Sequence, residues 1–242
     1  MRQFELAIAA ILSIGLVAPA GAASMINADQ SVTIDANDPF SFTTTFNGFT
    51  DGFAAVAGLS GLTKINYVMS SNSNKSYLFS FSVTNTSSAP ITSSRISIFG
   101  FDVDPNVKVS SSSSTGVFST VGAGNVPIIG NHEICFKAGG GSSNCAGGGG
   151  GGATKGQTIN GTFTLSFANS VPNRIFKLNN FFVRYQDVQN ERRNAPNSAV
   201  GRSVTITESV PEPASWLAMI AGFGVMGMSL RRRPRNLARF AT

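Results

Sequence analysis

Apolar and polar residues alternate along most of this chain. In FSFTTTF the inward set is Phe40, Phe42, Thr44 and Phe46; in INYVM it is Ile65, Tyr67 and Met69. SYLFSFSVT sets Tyr77, Phe79, Phe81 and Val83 against serines, and GTFTLSF repeats the pattern with Phe163, Leu165 and Phe167. FVRYQDV puts Val183, Tyr185 and Asp187 on one face and Phe182 and Arg184 on the other. A period of two with one apolar face predicts half-buried strands. In RISIFGFDV the phase changes from Ile96 and Ile98 to Phe99, Phe101 and Val103, with Gly100 at the switch, which predicts a bulge or bend there. No stretch of the body keeps a 3.6-residue period for three turns. Clusters of Gly, Asn, Ser and Pro separate the runs at Asn47-Gly48, Asp51-Gly52, Ser70 to Lys75, Thr86 to Pro90 and Ser110 to Gly116. The expectation is an all-β, antiparallel β-sandwich of about eight to ten strands with jelly-roll-like connections. Nineteen Phe against one Trp suit a core between stacked sheets.

The two ends depart from this pattern. Leu6 to Val17 is an apolar core too short to span a bilayer comfortably, Arg2 precedes it, and Ala20-Gly21-Ala22 reads as a cleavage site. Residues 1–22 are therefore expected to be a signal peptide, with a mature start near Ala23 and an exported chain. Residues 23–207 form the expected ectodomain, long enough to bury one core. At the other end Ala214 to Leu230 carries no formal charge, about 25 Å of helix at 1.5 Å per residue. That is close to the ~30 Å of a hydrocarbon core, so 214–230 is expected to span the membrane once. Trp216 marks the outer interface, and Ala218 with Gly222 offers a small-residue contact face. Arg231, Arg232, Arg233 and Arg235 follow as a stop signal in a basic cytoplasmic tail, 231–242.

Charge changes the picture only when it is divided. The net charge of +6 sits mostly in the tail: residues 211–242 hold 5 Lys+Arg and 1 Asp+Glu, whereas residues 23–210 hold 12 and 10. Nucleic acid is not an expected partner. Cys135 and Cys145 are the only cysteines, and in an exported chain an even count favours a disulfide across this short loop. The nine glycines between Gly139 and Gly152 lack the Lys-Ser/Thr and the strand-to-helix context of a phosphate cradle, so a flexible, stapled loop is expected.

Catalytic chemistry is thin. His132 is the sole histidine, no G-x-S-x-G occurs, and a disulfide would consume Cys135 as a nucleophile. No enzyme and no cofactor are expected. Asp102 and Asp104, with Asn106, are weak candidates for calcium, since hard oxygens suit that ion, but Asp before Pro is also an ordinary turn former. No zinc spacing is present. Thr43 to Thr45 is isolated and makes no regular Thr-x-Thr ladder along the chain.

Pro211-Glu212-Pro213, an apolar helix with Gly222-Phe223-Gly224, and an arginine cluster follow one another in that order. This tripartite end resembles the PEP-CTERM protein-sorting signal of Gram-negative bacteria. Proline biases its neighbours to extended backbone, so the tripeptide in the 208–213 linker stays outside the helix as a readable strip. SRISIFGFDVDP, EICF…NCAGGGGGG and FFVRYQDV resemble the cistern-type PEP-CTERM proteins. The resemblance implies an exosortase-type sorting peptidase as partner, an inner-membrane anchor with the ectodomain in the periplasm before processing, and then delivery to the cell surface or an exopolysaccharide matrix. A structural or matrix protein is the expected class. A secreted glycan- or calcium-binding module is the alternative, and a groove joining His132 to an acidic partner would revive an enzyme.

Overall fold

The computed structural model describes residues 24–68, 74–147, 150–192 and 194–209. Met69 and all of the predicted signal, anchor and tail segments lie outside these. Thirteen strands occur among the described residues, all paired antiparallel. They are β1 (Met25–Ile26), β2 (Val32–Asp35), β3 (Ser41–Phe46), β4 (Gly61–Val68), β5 (Ser76–Asn85), β6 (Ile91–Asp104), β7 (Ser113–Ser114), β8 (Thr120–Val126), β9 (Gly130–Lys137), β10 (Ala153–Thr154), β11 (Thr158–Ser166), β12 (Ile175–Asn190) and β13 (Ser198–Glu208). Ten of them form one continuous path, β7-β11-β5-β4-β3-β13-β12-β6-β9-β8, with β2 and β10 attached at the side and β1 paired to β2.

The path folds over on itself at β13. Residues Ser198 to Arg202 pair with β12, and Ser203 to Glu208 pair with β3, across a register shift between Ser203 and Thr205. One long strand thus belongs to both halves of the sheet. The far edges, β7 and β8, approach each other, so the sheet is nearly closed and barrel-like. The halves meet through aromatic rings: the centroids of Phe136 and Phe163 lie 4.6 Å apart, Phe81 and Phe99 4.8 Å, Tyr77 and Phe176 4.8 Å, and Phe42 and Phe181 5.6 Å. All eight side chains are buried. The alternating Phe and Tyr positions of β3, β5 and β11 supply one wall, and β6, β9 and β12 supply the other.

The phase change in β6 is real, but its cause is not Gly100. Ile98 lies opposite Arg184 and Ile96 opposite Tyr185, which leaves Ser97 as the extra residue of a bulge. Ile96, Phe99, Phe101 and Val103 then point into the main core, and Ile98 points outward. Gly100 instead permits a close approach: a Cβ there would sit 2.6 Å from the Phe182 ring and 2.4 Å from the Ile134 carbonyl oxygen. Strand β12 also breaks its expected alternation. Val183 and Tyr185 are inward as predicted, but Asp187 adopts a positive φ of 53° and turns outward to Arg95, with Nε to Oδ2 at 2.5 Å; Val188 takes the core place.

The outer face of β13, β3, β4, β5 and β11 is lined by hydroxyls. Thr205, Thr45, Leu62, Thr84 and Thr158 follow one another across the strands, and Thr207, Thr43, Lys64, Ser82 and Asn160 form the next row. Thr45 and Thr205 are joined at 2.6 Å and Thr84 and Thr158 at 2.9 Å. These rows run across the sheet and are invisible along the chain.

Phe163 stacks on Phe79 at 4.9 Å as well as on Phe136. Replacing it by Ala removes the ring at which both walls converge. The expected loss is about 3–5 kcal/mol, read as a lowered midpoint in chemical denaturation of the disulfide-intact protein.

Candidate functional site

Strands β6 and β9 are paired as far as Phe101 and Ile134. Beyond that point they diverge, and two carboxylates replace the ladder. The Glu133 N–H donates to Asp102 Oδ1 at 2.8 Å, and the Val103 N–H donates to Glu133 Oε2 at 2.7 Å. Asp102 Oδ2 accepts from Asn180 Nδ2 at 2.8 Å. Asn180 holds a left-handed φ of 50° where β12 shifts register against β6, which turns its amide toward Asp102.

His132, just before Glu133 on β9, completes the group. Its Nδ1 lies 3.3 Å from Asp102 Oδ1, and its ring lies 4.3 Å from that of Phe182. The His132 side chain is 8% exposed, and neither ring nitrogen makes a well-directed hydrogen bond among the described residues. The Asp102 contact is therefore a close electrostatic one. Burial would raise the Asp102 pKa, but His132, the Glu133 N–H and the Asn180 amide together hold it below the usual carboxylate value. Glu133 moves the other way: burial pushes it up, the Val103 N–H only partly opposes this, and the charges of Asp102 and Asp104 add to the rise.

A cleft of about 380 Å³ opens beside this group. Asp102, His132, Asn131 and Asn180 form one side, and Arg202 and Ser203 of β13 form the other, over Ile129 and Phe182. Arg202 is exposed, and its guanidinium lies over Phe53 at 5.0 Å and Phe49 at 5.7 Å from the ring centroids. The site thus sits where β13 changes partner and where β6 and β9 part. Sequence reasoning marked Asp102 and His132 but not Asn131, Asn180, Arg202 or Ser203. These come from three strands and carry no shared spacing.

The weak calcium set is not assembled. Asp102 has both oxygens engaged, Asp104 is exposed and faces a different depression beside Thr33 and Lys177, and Asn106 lines another beside Phe167. Among the described residues, no three His, Cys, Asp or Glu side chains are grouped to hold a metal ion.

Cys135 and Cys145 are joined, with Cα atoms 5.8 Å apart. The glycine-rich loop between them is held by more than this staple. Buried Lys137 donates from Nζ to the carbonyls of Ser142 and Ala146, each at 3.2 Å, and the Ala123 N–H of β8 donates to the Ser143 carbonyl at 3.1 Å. Gly122 makes room for that approach, since a Cβ there would lie 2.3 Å from the Ser143 oxygen. The loop so covers part of the free edge of β8, and with Ile98, Phe182 and Val200 the disulfide fills a second, outer apolar cluster.

Pro211, Glu212, Pro213, Trp216, Gly222, Phe223, Gly224, Arg231, Arg232, Arg233 and Arg235 lie outside the described residues. Within those, no helix is long and apolar enough to cross a membrane. Residues 209–233 match the family described as the PEP-CTERM protein-sorting motif. No curated protein and no solved structure matches the chain. The motif implies an exported, membrane-sorted protein that is processed by an exosortase.

Two outcomes are expected here. Thiol labelling of the exported protein without reductant leaves Cys135 and Cys145 unmodified; quantitative reaction of both in folded material would contradict the staple. Asp102→Asn costs about 1–3 kcal/mol at neutral pH by leaving donors poorly matched. Because the native pKa of Asp102 is depressed, its contribution is present above the unfolded carboxylate pKa and is lost as pH falls through the native value. The stability gap between wild type and variant, measured by denaturation, therefore closes on the acid side of the usual carboxylate range.

Proposed function

We propose that this chain is an exported, non-enzymatic protein of the cell surface or extracellular matrix, carried there by its sorting signal and released from the membrane by an exosortase. The observation that carries the reading is the sorting motif over residues 209–233. It begins directly after β13, whose last residue is Glu208. In this reading residues 1–22 are a cleaved signal, 23–207 the ectodomain, 208–213 the linker with Pro211-Glu212-Pro213, 214–230 a single membrane helix and 231–242 a cytoplasmic tail. Before processing, the ectodomain faces the periplasm on an inner-membrane anchor; afterwards it is surface-bound or extracellular, in contact with exopolysaccharide. The cistern-type assignment belongs to the same proposal and rests on the three body segments quoted above.

A non-enzymatic body is favoured by the chemistry of the cleft. His132 has an acidic neighbour, but among the described residues no hydroxyl or thiol is hydrogen-bonded to its ring, as a base-activated nucleophile requires. We read the two walls, which share β13, as the layers of a jelly-roll-like sandwich, one lying behind the hydroxyl rows and the other behind the disulfide cluster. A second reading, a secreted binding module, is favoured by the polar cleft between β9 and β13.

Mass spectrometry of the native protein's ends, in cells with and without the peptidase, tests the first reading. The mature chain should begin near Ala23 and lose the helix after Pro213; intact Met1 and Thr242 on the surface protein would overturn it. Replacing Arg231, Arg232, Arg233 and Arg235 together by neutral residues should leave the precursor unprocessed or misfractionated. Each Arg costs roughly 2.5–3.5 kcal/mol at a helix centre on insertion scales, so four make a strong barrier to passage. A variant processed at the wild-type rate would show that tripeptide and helix suffice.

A further inference from the structure

The cleft beside His132 combines features that the rest of the fold does not explain. Arg202 projects from β13 at the point where the strand changes partner, and its guanidinium carbon lies 5.0 Å from the Phe53 and 5.7 Å from the Phe49 ring centroid. A cation–π contact leaves the guanidinium N–H groups able to donate. Among the described residues no carboxylate pairs with it, although Asp102 lines the same cleft. Asp102 is already occupied by the Glu133 N–H, the Asn180 amide and the contact with His132. Its oxygens are thus occupied, whereas the Arg202 guanidinium has no carboxylate partner among the described residues.

The side chains of Asn131, Asn180 and Ser203 are neutral. Asn131 is exposed, Asn180 spends one amide N–H on Asp102 and keeps its carbonyl, and Ser203 offers a hydroxyl. His132, nine-tenths buried in the cleft wall, has polar capacity that the protein's own groups leave unsatisfied. Part-buried Ile129, packed over fully buried Phe182, supplies a small apolar floor. A volume of about 380 Å³ is that of a small-ligand site.

We propose that this cleft binds a sugar acid, a hydroxylated ring carrying one carboxylate. The carboxylate would take the bidentate edge of Arg202. Ring hydroxyls would pair with Asn131, Asn180 and Ser203, and the ring's C–H face would rest on Ile129. A single arginine, with no lysine and no helix N-terminus in the cleft, suits a monoanion better than a phosphate group, which draws several donors or cations. The surrounding amides and hydroxyl would be wasted on a carboxylate without hydroxyls. The assignment rests on the binding-module reading, and its failure would leave the sorting reading untouched.

The test is calorimetric titration of the full chain, purified in detergent, with D-glucuronate as probe. D-glucose, acetate and inorganic phosphate serve as controls. Glucuronate should bind at least about ten-fold more tightly than glucose or acetate, since each control lacks one of the two sets of hydrogen bonds. Arg202→Met keeps an apolar stem over Phe53 and should reduce glucuronate binding to the level of glucose. Asn131→Ala, at an exposed position, should weaken it by about five-fold, a typical loss for one neutral hydrogen bond. Both variants should melt within a few degrees of wild type. The proposal is overturned if glucuronate shows no binding, if glucose or acetate binds as well, if phosphate binds best, or if folded Arg202→Met or Asn131→Ala binds glucuronate like the wild type.

Discussion

Strand β13 has to satisfy two walls at once, and the rest of the molecule is arranged around that requirement. Its first half hydrogen-bonds to β12 and its second half to β3, with a register shift at the handover. A flat sheet of ten strands would expose one face of Phe-rich strand after Phe-rich strand. By turning the path through a corner, β13 brings those faces together, so that Phe163 reaches Phe136 and Phe42 reaches Phe181. Burial of large rings on both sides is the dominant favourable term. Pairing is handed from β12 at Arg202 to β3 at Ser203, so the strand keeps a partner on both sides of the corner.

The alternating runs made the strands legible because each residue's face depends only on its neighbours in sequence. Phe40 to Phe46, Tyr77 to Val83 and Phe163 to Phe167 all fall as their spacing predicts. What pairs with what is a long-range property, and the single continuous path through β13 had no local signature. Local irregularity was legible in kind but not in place. The phase change in β6 marked a bulge, yet glycine drew attention to position 100 when the extra residue is Ser97. Asp187 looked inward by period two, and its positive φ breaks that period. The hydroxyl rows were missed for a related reason: Thr45 meets Thr205 and Thr84 meets Thr158 only after the sheet has formed.

The cleft shows the same division. His132 and Asp102 attract notice by residue type alone, but their meeting depends on β6 and β9 parting after Phe101 and Ile134. Arg202 arrives from about seventy residues further on, and nothing in its surroundings in sequence distinguishes it from any other surface charge. The disulfide was readable from count and compartment. Its setting was not: Lys137 and the Ser143 carbonyl fasten the loop against β8, which protects an edge that would otherwise offer unpaired backbone to another chain.

The hydrogen bond from the Ser209 N–H to the Ser41 carbonyl, 2.8 Å long, extends the order of β13 to within two residues of Pro211. Only Val210 separates the sheet from the Pro-Glu-Pro strip, a reach of roughly 3.5 Å per residue. A sorting peptidase must therefore work in the shadow of a folded body rather than along a free tether. Its accessible face has to tolerate the end of the β3–β13 wall, and the order of events matters, since a body still unfolded would present a longer and looser approach. With the proposed cut after Pro213, the new carboxyl end would be a short stub on a strand already paired in the sheet, with little slack for anything later attached to it.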